Sequence, residues 1–140
     1  MTDSRATTFA HAVEAVVGAG RDDPSTLFTD DVHTWSPVLS ATSLAELTTA
    51  LEDRDDSLSN VRVALRTVHA GDNRVIAEWR LDADHTGPLT LDDELTIPAT
   101  GRHIHLGGAT FADFRGDKIR ALRSYFDEAA LMEQLIGSDG

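Results

Sequence analysis

Three groups of residues in this chain have the types and spacing of reactive sites. Glu78, Arg80 and Asp82 alternate with Trp79 and Leu81, so a strand would set the three charged side chains on one face. A buried carboxylate beside an arginine makes an acid–base site, because burial and the guanidinium pull its pKa in opposite directions. The same spacing also suits an ordinary cross-strand ion pair on an outer face. His33 and Trp35 share a face in the same way. His33 is a candidate base, since histidine is the side chain that ordinarily changes charge near neutral pH, or else a histidine packed against Trp35. Trp35 reads as a pocket wall or core residue. His103-x-His105 puts two imidazoles on one strand face. No carboxylate or cysteine at a neighbouring position completes a metal-ligand set, although His69 or His85 could approach in space. The reading is therefore no metal, with the pair on a polar outer face or a subunit contact. His85 reads as a hairpin or subunit contact.

Composition narrows the function classes. The chain has 140 residues and a net charge of −12. That length suits one domain, 1–140, with a core of its own. The acidic balance argues against nucleic acid, whose phosphates it would repel. No apolar run approaches the roughly 18 residues of a membrane span. The N-terminus M-T-D-S-R-A-T-T lacks a signal-peptide core, so a cytoplasmic location and no membrane partner are expected. The absence of cysteine excludes disulfides, a thiolate nucleophile and a zinc–thiolate site.

The elements that must position these residues follow from periodicity and punctuation. Phe9, Val13, Val16 and Val17 predict a helix over residues 5–19, closed by Gly18 and Gly20. Asp23-Pro24 opens a second, short helix, with Asp23 as cap and Pro24 in the first turn. Thr29-Asp30-Asp31 ends it, and a strand over 32–36 stops at Pro37. Ser43-Leu44-Ala45-Glu46 has capping-box spacing and starts a third helix to about Leu51. Residues 52–57 read as a charged exposed connection. Alternation then predicts a strand from 58 that turns at Gly71-Asp72-Asn73, and another over 74–84. Residues 89–94 read as a polar loop and 95–97 as an edge strand. A long strand over 102–114 carries Gly107-Gly108, which predicts a bulge or bend. After Arg115-Gly116-Asp117 the last strand runs to Phe126, and Asp127 caps a final helix with a stripe of Leu131, Met132 and Leu135. Strict alternation puts Leu122 and Ser124 on one face and Tyr125 on the other, with Leu106, Gly108 and Thr110 lining the cavity. Helices gathered on one side of an antiparallel sheet make an α+β domain.

The order of several short stretches resembles a known superfamily. Asp30-Asp31-Val32 with Trp35-Ser36-Pro37 is similar to the segment after the second helix of nuclear transport factor 2-like proteins. His85-Thr86-Gly87-Pro88, Pro98-Ala99-Thr100-Gly101-Arg102, Gly116-x-Lys118-Ile119, Tyr125-Phe126-Asp127 and Gln134-Leu135 resemble the SnoaL-like polyketide cyclases. Trp79-Arg80-Leu81-Asp82 and Ser124-Tyr125-Phe126-Asp127 resemble limonene-epoxide hydrolases. The resemblance implies a cone-shaped α+β barrel, a curved antiparallel sheet wrapped around N-terminal helices, often as a homodimer. It also implies an acid before the Tyr-Phe-Asp-like triplet, where this chain has Ser124. The ketosteroid isomerases hold an aspartate before the proline matching Pro37, here Ser36, and a second acid near Thr110. All three positions are hydroxyls, which cannot serve as bases near neutral pH without an activating partner. Arg80-Leu81-Asp82 does match the epoxide hydrolases' Arg-x-Asp pair.

Two functions follow from the resemblance. One is a cofactor-independent cyclase, isomerase or hydrolase acting on a small hydrophobic compound. Arg80, Asp82 and His33 would be catalytic, and Trp35, Glu78, Leu106, Thr110, Leu122 and Ser124 would contact the ligand. The other is a non-catalytic small-molecule-binding protein without the pocket aspartate. An incidental pocket in an interaction module is a third.

Overall fold

Alternating apolar strands and short capped helices produce the order α1 (Thr2–Val17), α2 (Pro24–Leu27), β1 (Phe28–Ser36), β2 (Leu39–Ala41), α3 (Leu44–Glu52), β3 (Leu58–Gly71), β4 (Arg74–His85), β5 (Leu89–Asp92), β6 (Leu95–Ile97), β7 (His103–Arg115), β8 (Lys118–Phe126) and α4 (Glu128–Ile136). This computed structural model describes residues 2–17, 23–37, 39–52, 57–92 and 95–136. The connection expected over 52–57 and the glycines expected to close α1 lie mostly outside the described residues. Among the described residues, no helix is long and apolar enough to cross a membrane.

The caps act as their residue types dictate. The Asp23 carboxylate accepts from the Ser25 N–H at 3.0 Å, with Pro24 in the first turn. Ser43 Oγ accepts from the Glu46 N–H at 3.1 Å, and Glu46 reaches back to the Thr42 N–H at 2.8 Å. That second bond lands one residue earlier than a strict capping box requires. Asp127 accepts from the Ala130 N–H at 3.1 Å and starts α4.

The strands form a curved, unclosed six-stranded sheet in the order β2-β1-β8-β7-β4-β3, with β5 and β6 as a separate hairpin. Phe9, Val13 and Val16 of α1, Leu47 of α3, and Leu131 and Leu135 of α4 bury against its inner face. Arg5 ties α1 to two hairpin turns, donating to the Gly116 carbonyl at 2.9 Å and the Asp72 carbonyl at 2.5 Å.

Several expectations need correction. The β1–β8 pair is parallel, so the sheet is not wholly antiparallel. Residues 29–31 belong to β1 and not to a helix end, and residues 89–92 form β5 by pairing with β6. The Gly107-Gly108 pair makes no bulge, since the β4–β7 register runs unbroken from Arg74↔Asp113 to Asp84↔His103. Instead Gly108 faces inward beneath the Trp79 ring. A Cβ there would lie 2.5 Å from the Tyr125 carbonyl oxygen and closer still to the indole. The bulge falls between Ile119 and Ala121, where Arg120 is the extra residue opposite Asp113 and Phe114. It breaks strict alternation, so Ile119 and Leu122 are both buried.

The two glycines should therefore behave differently. Gly108→Ala is expected to destabilise the fold by about 1–3 kcal/mol through overpacking. At Gly107 a Cβ meets only the Trp79 carbonyl, at 3.9 Å, so Gly107→Ala should be tolerated. Urea denaturation of both variants checks the contrast; equal losses would remove the packing explanation.

Candidate functional site

The inner face of the sheet carries the hydroxyl residues. Thr110 pairs with Ser124 across β7 and β8, and Trp79 reaches them from β4. The Trp79 indole N–H donates to Thr110 Oγ1 at 3.0 Å, and Thr110 Oγ1 shares a 2.8 Å hydrogen bond with Ser124 Oγ. Thr110 and Ser124 are fully buried, and Trp79 is nearly so. Register extends this row to Ser36, one residue past the Trp35↔Arg123 pair, and Ser36 Oγ donates to the Leu39 carbonyl at 3.3 Å. Thr34, on the same face of β1, is buried with its hydroxyl unpartnered. Neutral groups joined in this way satisfy one another without a titratable member.

The charged residues lie on the other face. Val75, Ala77, Trp79, Leu81 and Ala83 take the inner side of β4, so period two turns Glu78, Arg80 and Asp82 outward. The three do share a face, as expected, but it is opposite to Ser124 and Thr110. His33 and Trp35 are likewise on the outer side of β1, because Val32, Thr34 and Ser36 bury inward. Trp35 is 45% exposed and meets the Tyr125 ring at a centroid distance of 5.3 Å and a tilt of 45°, so it is neither core nor inner pocket wall. Tyr125 meets Phe111 at 6.0 Å, and Arg123 sits over the Phe111 ring. Leu106 and Leu122 bury inward as the alternation predicts.

On this outer face β3, β4 and β7 form a cleft of about 660 Å³. The cross-strand row Ala64↔Arg80↔Gly107 explains it, because two nearly absent side chains leave notches beside the Arg80 stem. Arg66 and Glu78, 3.7 Å apart, line one part, and Asp82 and His105 line another. The Asp82 carboxylate contacts the His105 Nδ1 closely, and His103 Nε2 stands 3.7 Å from the same carboxylate oxygen. The ligand-type atoms of Asp82, His103 and His105 all lie within 4.8 Å of one another. The sequence reading is no metal, with His69 or His85 able only to approach the pair in space. The residue that register brings to them is Asp82, paired with His105 in the ladder.

His85 is fully buried at the end of β4. Its Nδ1 accepts from the Thr100 N–H at 3.2 Å and meets Thr100 Oγ1 at 2.9 Å, so it ties the strand to the segment before β7. Its Nε2 has no hydrogen-bond partner among the described residues. Burial pushes its pKa below the ordinary value, against a smaller opposing effect of the Gly87 backbone.

With the geometry in hand, the family is clear. The chain belongs to the SnoaL-like polyketide cyclase family, which matches residues 10–135. No curated protein matches the sequence. In structure it is similar to a SnoaL-like protein of a Jannaschia species, at 14% identity and a TM-score of 0.75, covering 99% of this chain and 94% of that one. It is also similar to TsrD from Streptomyces laurentii, at 15% identity and a TM-score of 0.72, with 97% of each chain covered. An LEH-like epoxide hydrolase of M. tuberculosis shares 13% identity and a TM-score of 0.66, over 96% of this chain and 90% of that one. At these identities the likeness carries the fold and not the chemistry.

The buried His85 sets a pH dependence whose sign is fixed. Its folded pKa is depressed, so on acidification the unfolded chain takes up a proton before the folded one does. Stability from this group is present above the ordinary value of 6.5 and is lost as pH falls below it. Urea midpoints at pH 7.5 and 5.5 should show the loss, and His85→Gln should flatten it. An undiminished dependence in that variant would assign the effect elsewhere.

Proposed function

We propose that this family member binds a small molecule and does not carry out proton transfer from the interior of its sheet. The observation that carries the reading is the buried Trp79–Thr110–Ser124 chain. At the places where the resemblance implies carboxylates, it holds neutral hydroxyls already committed to one another. An aspartate and an imidazole stand instead in the solvent-reachable cleft beside Arg80. The ligand suited to that cleft has a compact body for the Ala64 and Gly107 notches. It also bears an anionic or strongly accepting oxygen for the Arg80 guanidinium. This adds polarity to the hydrophobic compound that the resemblance implies.

A second reading has its own support. Asp82 and Arg80 line one cleft, so acid–base work of the kind first expected of them would occur there and not beside Ser124. Cofactor-independent turnover that survives Ser124→Ala but is lost in Asp82→Asn would favour that enzyme over the binding protein.

The test is a small-molecule screen by thermal shift, since a ligand at a hundred times its Kd adds about 2.7 kcal/mol of stability. Gly107→Val puts a branched side chain into the notch, where a Cβ meets only the Trp79 carbonyl, at 3.9 Å. The shift given by a hit should vanish in Gly107→Val and Arg80→Ala and persist in Ser124→Ala. The reverse pattern would move the ligand to the interior and overturn the assignment.

The homodimer implied by the resemblance is proposed as well, across the patch of exposed Trp35 and Tyr125 with half-buried Phe111. Sedimentation should show a dimer that Tyr125→Glu converts to monomer; an unchanged mass would exclude this face.

A further inference from the structure

We infer that Asp82, His103 and His105 form a binding site for a divalent transition-metal ion of the zinc type, at the edge of the outer cleft. The inference stands whether or not the cleft also takes an organic ligand.

The first support is convergence. In a tetrahedral zinc site with bonds of about 2.0–2.2 Å, neighbouring donor atoms stand roughly 3.3–3.6 Å apart. Here one ligand-type atom from each of the three residues lies within 4.8 Å of the others. His103 Nε2 is 3.7 Å from Asp82 Oδ1, and the two imidazole rings are 4.5 Å apart. The His105–Asp82 contact would open slightly to admit the ion. Both side chains are partly exposed, so core packing does not lock either in place.

The second support is the shell behind these residues. His103 Nδ1 bonds Asp84 Oδ1 at 2.9 Å, which directs Nε2 toward Asp82. Asp84 is itself held by the Asn60 amide at 2.8 Å. Asn60 adopts a left-handed φ of 52° at the β3 bulge, a conformation that Asn tolerates better than most residues. The chain carboxylate–histidine–metal is the usual way a ligand imidazole is oriented and kept in one tautomer. His105 is fixed differently. The Gln134 side chain of α4 holds its backbone, accepting from the amide N–H at 2.7 Å and donating to the carbonyl at 2.8 Å. The site is therefore built on two paired strands, with the His103 ring oriented by Asp84 and the His105 backbone held by α4.

The donor set chooses the ion. Two imidazole nitrogens and one carboxylate oxygen favour Zn²⁺, Co²⁺ or Ni²⁺ over Mg²⁺ and Ca²⁺, which prefer oxygen. Three protein ligands leave a fourth position, as in open zinc sites. The cleft lined by Asp82 and His105 gives water or an anionic oxygen access to it. The net charge of −12 favours cation approach from a distance.

Calorimetric titration of Zn²⁺ into the full chain tests the site, with Mg²⁺ as the comparison ion. The expected result is one equivalent of Zn²⁺ and no comparable Mg²⁺ binding. His103→Ala and His105→Ala should each remove that equivalent, and Asp84→Asn should weaken it by about 10–100-fold. His69→Ala, at the far end of β3, should leave it intact. The intense visible bands of four-coordinate Co²⁺ should appear in the wild type and disappear in His105→Ala. Thermal midpoints without metal confirm that the variants fold. Absence of Zn²⁺ binding, or binding that persists in the His103→Ala/His105→Ala double variant, would overturn the site.

Discussion

The unbroken antiparallel pairing of β4 with β7 is the constraint on which the rest of the molecule depends. One register, running from Arg74↔Asp113 to Asp84↔His103, decides what happens on both faces of the sheet. On the inner face it sets Trp79 opposite Gly108, the residue type whose missing side chain accepts the indole. On the outer face it sets Asp82 opposite His105 and Arg80 opposite Gly107. A slip of one residue would exchange the faces of a whole strand, burying charges and exposing Trp79 and Leu81. The hydrophobic cost of that exchange holds the polar constellation in place, although none of its members belongs to the core.

The interior shows how a shared fold can part from a shared chemistry. Burying a carboxylate costs far more than burying a hydroxyl unless a partner compensates it. Thr110 and Ser124 satisfy each other and the Trp79 indole, so this row stays neutral. The fold is then stable without the polar support that an interior acid would require. Among the described residues, the buried side-chain polar atoms without a partner are Thr34 Oγ1 and His85 Nε2. His85 serves as a tie between β4 and the segment before β7.

The outer face divides into two regions of different character. Across β1, β8 and β7 it is aromatic, with Trp35, Tyr125 and Phe111 in mutual contact and Arg123 over one ring. Across β3, β4 and β7 it is charged and notched. Small residues at Ala64 and Gly107 open space that longer side chains would fill, and the charged groups stand around that space. Helix α4 joins the two faces. Its apolar side covers the core, while Gln134 caps the edge of β7 beyond the end of β8.

Much of this was legible in the chain itself, for local reasons. Asp23, Ser43 and Asp127 cap helices because their side chains satisfy nearby backbone N–H groups, a matter of two or three residues. The Gly71-Asp72-Asn73 and Arg115-Gly116-Asp117 turns follow equally local rules, with positive φ at Asp72 and Gly116. The order of short motifs was enough for the family and the α+β class. Period two correctly grouped Glu78 with Arg80 and Asp82, and His33 with Trp35. Which group faces the core is a different question, because alternation is unchanged when the two faces are exchanged. In β4 the unbroken apolar phase from Val75 to Ala83 carried the answer. In β1 the inward residues are a valine, a threonine and a serine, and the larger Trp35 misleads. The bulge at Arg120 and the meeting of Asp82 with His105 had no local sign. Both depend on register between strands, and the β5–β6 excursion separates β4 from β7 in the chain. Local chemistry in the sequence determined the caps, the turns and the alternating sets. Only tertiary packing, which selects one face and one register by burying Trp79, Leu81 and Leu106, decided where the chemistry could stand.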